Sequence, residues 1–356
     1  MTTKKQPQHT IVTGVQPTGP SHIGHYAGVY RNMVALQNEK SVRRFYFIAD
    51  YHSLSENYDP AEKRQQILNL AADLLAIGVD PKKAVFFAQS DVPEHTELCW
   101  IFNTVTPVSF LERMTQYKDK ASRQQQNVNA ALFCYPVLQA ADILMYRGDQ
   151  VPVGRDQIQH VEFTRDVAHF FNNKFGGQTF PEPKPLLTET PKIRSLADPL
   201  KKMSKSLGEK SSLILTDEPD VIYSKLKSAV TETTGIIKLS EEELEHRLSI
   251  HPEGHADEEA ELRGAAGVWN LLTILKLVGA GKEAERIFSL QPMKYGELKR
   301  LVAERVAEHF APFRAKRAKL AADPTYLKRI LREGAIIART EAKTMMKNVK
   351  KIIGVN

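Results

Sequence analysis

Residues 9–49 read HTIVTGVQPTGPSHIGHYAGVYRNMVALQNEKSVRRFYFIA, and the order of elements within them decides the fold. His9 to Gly14 is short and β-rich, and the Gly/Pro turn after it leads into Ser21 to Asn38, whose apolar residues fall at helical spacing. Arg43 to Ala49 is again β-rich. Asp59-Pro60 then supplies an N-cap and a first helical residue for a helix through Leu68, Leu70, Leu74 and Leu75, which Gly78 ends. Ala84 to Ala88 reads as a third strand. Strands separated by single helices form a βαβ pattern, so an α/β fold with a parallel sheet is expected. Ligands of such sheets bind at the carboxyl ends of the strands, here after Gly14 and after Ala49.

Further along, Glu94 to Lys120 and Ala131 to Tyr146 read as helices joined by a polar segment, an insertion spanning about residues 94–150. Phe175 to Thr190 is rich in Gly and Pro, and Leu200 to Leu213 holds Gly, Ser and Lys in place of a periodic core, so both read as mobile loops. From Asp220 onward the pattern is helical and charged. A boundary near Asp217 to Asp220 is expected, dividing the chain into 1–218 and a C-terminal helical domain, 219–356.

The chain has 356 residues, 42% of them hydrophobic, enough for more than one core. No apolar run reaches the ~18 to 20 residues of a membrane span, and Met1 to His9 is too polar for a signal peptide. A cytoplasmic protein with no membrane partner is therefore expected. Cys99 and Cys134 lie far apart, with no CxxC and no histidine pair at finger spacing. That speaks against a disulfide framework, structural zinc or an iron-sulfur cluster, and both are expected as buried thiols with no metal centre. The net charge is +7, and all of the excess is C-terminal: Met1 to Thr190 holds 19 basic and 19 acidic residues, whereas Lys294 onward holds 16 and 6. A surface that meets a polyanion and a solvated helical face both fit that count.

Two runs carry chemistry. The first is His22-Ile23-Gly24-His25, where the turn delivers a helix N-terminus whose backbone N–H groups and dipole favour phosphate. His22 and His25 are three apart and project from nearly one face, while Gly24 leaves room for a flat ring such as adenine to approach the backbone. Surface histidines or a metal pair are alternatives, though no third ligand is nearby. The second run is Lys202-Met203-Ser204-Lys205-Ser206, on a loop, where two lysines three apart can close on a polyphosphate and meet the charge of a departing pyrophosphate.

With both runs present, the sequence resembles the class I aminoacyl-tRNA synthetases, whose signatures HIGH and KMSKS it carries letter for letter. Between and beyond them, the stretches Leu111 to Lys120, Tyr135 to Leu144, Val151 to His160 and Leu331 to Ala335 are similar to the bacterial tryptophanyl-tRNA synthetase family over nearly the whole chain. The resemblance implies a Rossmann-type nucleotide-binding catalytic domain, a helical domain that reads the tRNA anticodon, and a homodimer. It implies that His22, His25 and Lys120 contact the ATP phosphates and that Lys202 and Lys205 hold the pyrophosphate. Asp156 would hold the adenylate or its ribose, with Gln16, Gly24, Gly154, Gln157, Met203 and Ser204 completing the ATP contacts. ATP would arrive with Mg²⁺, and L-tryptophan and tRNA(Trp) would be the other partners.

By the same resemblance Asp142 accepts the indole N–H, with Tyr135, His52 and Gln139 in the pocket. Gln139 stands where the tryptophan family often has Met, and a Gln and an Asp three apart on one helical face could instead clamp a tyrosine hydroxyl, which both donates and accepts. The run Val151 to Asp166 favours tryptophan. Tyrosyl-tRNA synthetase is thus the alternative, followed by a small-molecule nucleotidylyltransferase, which would not need the basic helical domain, and a silent RNA-binding paralogue, against which the intact His22, His25, Lys202 and Lys205 argue.

Overall fold

The computed structural model describes residues 9–114, 128–154, 157–188, 190–250, 256–290 and 292–355. They fall into two compact units: Met1–Gly19 with Asn32–Glu189 and Arg317–Asn356 in the first, and Pro20–Arg31 with Thr190–Lys316 in the second.

The first unit is built on a five-stranded sheet of β1 (His9–Val15), β2 (Val42–Ile48), β3 (Val85–Ala88), β4 (Gln150–Val153) and β5 (Lys184–Leu187). The order is β3-β2-β1-β4-β5 with every pairing parallel, and β1 runs in full register with β2 from His9↔Val42 to Val15↔Ile48. This is the Rossmann-type arrangement, and its strand order reverses between β1 and β4, where an open sheet of this kind takes its ligand. The three strands expected from the sequence are present within one residue at most ends. β4 and β5 were not expected; each is four residues long and carries a proline, Pro152 and Pro185, which reads as a strand breaker.

The helix Pro60–Ile77 starts at Asp59, whose side chain accepts from the Ala61 N–H, and stops at Gly78 with φ 121°, a conformation that favours glycine. The helix expected from Glu94 to Lys120 is interrupted after Asn103 and resumes as Val108–Glu112, because Pro107 supplies no N–H to continue the first, and the part of that expectation beyond Met114 lies outside the described residues. The next, Ala130–Met145, is capped by Asn129.

The core joins residues of the sheet to helices Glu94–Asn103, Ala130–Met145, Ile158–Phe175 and Pro324–Ile353. The last of these enters the first unit through a stripe of small side chains, Gly334, Ala335, Ala338 and Ala342. A Cβ on Gly334 would lie 1.9 Å from the Phe86 carbonyl oxygen of β3, so helix and strand backbones meet there. Around that contact Arg317 pairs with the buried Asp73 at 2.9 Å, Arg339 with Glu94 at 3.0 Å and Arg43 with Glu341 at 2.9 Å. The chain therefore does not divide by packing at residue 218: the final helix belongs with the sheet, and several C-terminal cations are spent on carboxylates of its own unit.

The second unit is helical, with Pro219–Lys227, Glu241–Ile250, Ala256–Leu277, Gly281–Ser289 and Tyr295–Ala321, the last continuing into the first unit from Arg317. Leu239, Leu244, Leu262, Ala265 and Ala266 form one apolar cluster in it. Among the described residues no helix is long and apolar enough to cross a membrane. Cys99 and Cys134 are half-buried rather than fully enclosed, and burial pushes the Cys99 thiol up to about 12, with the Asp142 charge adding to the effect.

Candidate active site

Both signature runs lie in the second unit, and a short antiparallel contact brings them together. The Ile23 N–H donates to the Leu213 carbonyl at 2.9 Å and the Leu215 N–H to the Ser21 carbonyl at 2.9 Å, with His22 bridged to Ile214. Asp217 pins this segment, accepting from the Ile214 N–H at 2.9 Å and from the buried Lys225 ammonium at 2.6 Å.

The helix that starts here has three parts: an α turn Ile23–His25, a π-helical turn Tyr26–Tyr30, and an α segment Arg31–Leu36. Single π turns recur at functional sites because they re-aim the residues around them. Ser21 and Tyr30 hydroxyls meet at 2.8 Å, and the Tyr26 hydroxyl meets His309 Nε2 at 3.0 Å.

Backbone amides set the state of both histidines. The Gly24 N–H donates to His22 Nδ1 at 3.1 Å and the His22 N–H donates to His25 Nδ1 at 3.2 Å. A nitrogen that accepts carries no proton, so each neutral ring keeps its hydrogen on Nε2. The rings stack with centroids 3.7 Å apart. Burial, the neighbouring imidazole, Lys205 and Lys202 lower His22 to about 3; burial, Lys205 and Lys202 lower His25 to about 4. At neutral pH the pair thus presents two uncharged N–H donors beside two ammonium groups. Gly24 has a role the sequence did not disclose: a Cβ there would lie 2.9 Å from the His22 ring.

The lysine loop is anchored by its methionine. Met203 is buried and its N–H donates to the Ile193 carbonyl at 3.0 Å, while Arg194 bridges Lys202. Asn270 clasps Arg194 from both sides, accepting from its N–H at 2.8 Å and donating to its carbonyl at 3.0 Å. Ser204 caps the turn Lys205–Leu207, and Ser211 donates to the Ser204 carbonyl at 2.6 Å. Met203 and Ser204 therefore shape the loop, while Lys202 is exposed and Lys205 half-exposed.

In the first unit, Gln16 follows β1 and Gly154 follows β4, at the carboxyl ends where the strand order reverses. The Gln157 N–H donates to the Gly154 carbonyl at 3.0 Å, starting the helix Ile158–Phe175. Lys120 and Asp156 lie outside the described residues.

Asp142 of the same unit is 1% exposed and enclosed by donors. His52 Nε2 lies 2.8 Å from Oδ2, His95 Nδ1 2.5 Å from Oδ1, and the Gln89 amide nitrogen spans both oxygens at 2.8 and 3.0 Å. Behind His95, the Tyr146 hydroxyl meets Nε2 at 2.6 Å. Burial alone would raise the Asp142 carboxyl, but the hydrogen bonds it accepts from His52 and His95 hold it below its ordinary value. Tyr135 stands near His52, its hydroxyl 2.8 Å from His160 Nε2.

Gln139 is not among the partners of Asp142. The glutamine that meets the carboxylate is Gln89, from the turn after β3, and His95 comes from the following helix. Both escaped the sequence reading, since 47 and 53 positions separate them from Asp142 and only the fold brings them there. Among the described residues no group of three or more His, Cys, Asp or Glu side chains is placed to hold a metal ion.

A family model described as tRNA synthetases class I (W and Y) matches residues 4–311. A tryptophan–tRNA ligase of Rickettsia conorii is 39% identical over 347 residues, covering 97% of this chain and 98% of the relative. Tryptophan–tRNA ligase 2 of Streptomyces avermitilis is 41% identical over 350 residues, covering 97% and 96%. Among solved structures, the tryptophanyl-tRNA synthetase of Campylobacter jejuni, complexed with ADP and tryptophan, superposes with a TM-score of 0.78 at 34% identity, covering 97% of this chain and 99% of that one.

Proposed function

Because this chain belongs to the class I tRNA synthetases for tryptophan and tyrosine, on the bacterial tryptophan branch, we propose a division of labour among its residues for the ligation of tryptophan to tRNA. Its activity is that of a tryptophan–tRNA ligase, with ATP as co-substrate.

In the first step the tryptophan carboxylate attacks the α-phosphorus of ATP in line. A P–O bond to the new adenylate forms as the bond to the pyrophosphate oxygen breaks, and the electron pair leaves with the pyrophosphate. No side-chain nucleophile is needed; the protein has to align and to stabilise charge. His22 and His25 donate their Nε2 hydrogens to phosphate oxygens, and Lys202 and Lys205 supply the positive charge that the leaving pyrophosphate requires. Mg²⁺ enters with ATP as part of the substrate and shares that charge. Gln16, Gly24, Gly154, Asp156, Gln157 and Lys120 complete the nucleotide site, and Asp142, with His52, Tyr135 and Gln139, takes the amino-acid side chain. In the second step the 2′-hydroxyl of the terminal adenosine of tRNA attacks the adenylate carbonyl and AMP leaves.

The observation that carries these assignments is the fixed tautomer of the histidine pair. Two backbone amides hold both rings with Nε2–H as the donor, beside the two lysines of a loop tethered by Met203. The exposed cations of the last helix, among them Lys328, Arg329, Arg332, Lys343 and Lys347, with those of residues 219–316, are the part of the basic region left for tRNA. A cytoplasmic homodimer is part of the same proposal, on family membership.

Amino-acid-dependent ATP–pyrophosphate exchange tests the reading, run with tryptophan, tyrosine and phenylalanine in parallel. Exchange with tryptophan alone is expected. Exchange with tyrosine would move the assignment to the sister enzyme, and exchange with none would leave the residue roles without a reaction.

A further inference from the structure

The surroundings of Asp142 contain a pattern of donors and acceptors that goes beyond the presence of one carboxylate. An ionised carboxylate has about four lone-pair sites, and here three side chains make four contacts to it, His52 and His95 one each and the Gln89 amide nitrogen one to either oxygen. His95 spends its Nδ1 hydrogen on Asp142, so its Nε2 accepts, and the Tyr146 hydroxyl spends its own hydrogen there. The amide of Gln89 must face the carboxylate with nitrogen, because its oxygen would be repelled, and Gln89 Oε1 is a buried polar atom with no hydrogen-bond partner among the described residues. Gln89 and His95 are both 0% exposed. With the His95 ring neutral, its hydrogen and that of Tyr146 are thus committed, the Gln89 amide is turned to Asp142, and the acceptor left unmet among the described residues is Gln89 Oε1, beside the carboxylate.

We propose that Gln89 and His95, the latter held from behind by Tyr146, are positioning residues that make the Asp142 cage an acceptor-only site and so set its choice of an indole N–H over a phenol hydroxyl. The inference rests on the reading above, in which Asp142 faces the tryptophan side chain. An indole edge offers a donor and nothing that needs a donor in return. A phenol could give its hydrogen to the cage, but its oxygen would be buried with no donor to meet it, which carries the full desolvation penalty of that group. The glutamine relevant to tryptophan against tyrosine is then Gln89, fixed with its amide toward Asp142, rather than Gln139.

The cage also sets the ionisation of Asp142. The titratable groups facing it are His52 from the turn His52–Ser55 and His95 and the Cys99 thiol from helix Glu94–Asn103, with Tyr146 reaching it through His95. With one donor removed, burial is no longer offset, and the carboxyl takes up a proton nearer to neutral pH and ceases to be an acceptor.

The test is kcat/KM in ATP–pyrophosphate exchange for tryptophan, for tyrosine, and for the tryptophan isostere with sulfur in place of the ring N–H, from pH 6 to pH 9, in the full-length protein. For the unaltered chain the preference for tryptophan over the sulfur isostere is expected to be large, ~10⁴, and level with pH. In His95→Leu and Gln89→Met it should fall at least about tenfold, with the tryptophan KM rising as the pH is lowered and kcat changing less. His95→Asn, which keeps a donor at the Nδ1 position, should restore most of the preference. If His95→Leu does not fold, Gln89→Met decides alone.

Asp142→Asn separates the two levels of the argument. If it leaves the preference intact, the role given to Asp142 fails and this inference with it. If Asp142→Asn destroys the preference while folded His95→Leu and Gln89→Met keep it, unchanged with pH, the inference alone is overturned.

Discussion

The Gly24 N–H donates to the Nδ1 of His22 at 3.1 Å, and the space a side chain would occupy at position 24 is held by that same imidazole ring. Glycine and histidine are therefore a matched pair: the amide fixes the tautomer, and the missing Cβ lets the ring lie over it. Gly24→Ala should push the ring aside without disturbing the rest of the unit. We expect a loss of ~10² in the rate of tryptophan-dependent pyrophosphate exchange, the scale of an ångström-sized misplacement of a catalytic group. Thermal stability should stay nearly constant, and a large drop in the unfolding midpoint would assign Gly24 to folding instead.

In the proposed division of labour Lys205 meets the pyrophosphate and not the tRNA. Lys205→Ala should lower adenylate formation by ~10² to 10³, the range for removing one preorganised charge-stabilising donor. tRNA affinity, measured by fluorescence anisotropy at fixed salt, should stay within about twofold, because one cation among many contributes little to it. Normal adenylate formation by Lys205→Ala would remove the loop from the chemistry.

His22 and His25 should remain uncharged through the whole physiological range. Both are lowered from 6.5, to about 3 and about 4, so the folded protein leaves them neutral where the unfolded chain protonates them. The unfolded state binds more protons between those values, so stability is lost as the pH falls from about 6.5 towards 3. In proton NMR neither ring should titrate between pH 5 and 8. A midpoint near 6.5 for either would contradict the geometry, and replacing both with Asn should make acid unfolding less steep below pH 6.5.

At Gly334 two opposite effects compete. Glycine to alanine inside a helix ordinarily gains ~1 kcal/mol of propensity. The added carbon would, however, lie 1.9 Å from the Phe86 carbonyl oxygen, and the 30-residue helix Pro324–Ile353 would have to withdraw from β3. Overpacking of that kind costs ~1 to 3 kcal/mol or more. Gly334→Ala should thus lower the thermal midpoint, by ~2 to 4 °C per kcal/mol of net loss for a unit of this size. A raised midpoint would mean that the helix does not approach the strand so closely.

What could be read from the residues follows a physical line. β1, β2 and β3 stood out because each is an apolar, β-branched or aromatic run with turn residues around it, and the cap at Asp59-Pro60 and the stop at Gly78 are local chemistry. β4 and β5 escaped because four residues with an internal proline carry no period to read. His22, His25, Lys202 and Lys205 were legible as letters in two short motifs. Gln89 and His95 were not, since a Gln after a strand and a His in a first helical turn mean nothing until the fold sets them against Asp142. The final helix is an intermediate case. Gly334, Ala338 and Ala342 recur every four residues, the mark of a helix face that packs closely, but among so many lysines and arginines the segment reads as a polyanion-facing surface or a solvated helical face.

That last helix also governs when the protein can be finished. Strand β3 ends at Ala88, yet the stripe that packs on it begins at Gly334, so a ribosome must add about 250 further residues before the strand receives its cover, ~12 to 50 s at ordinary elongation rates. Until then the face of β3 that Gly334 meets lacks the helix that covers it in the folded unit. The first unit can therefore complete its packing only after residues 324–353 have been made, however early its strands pair.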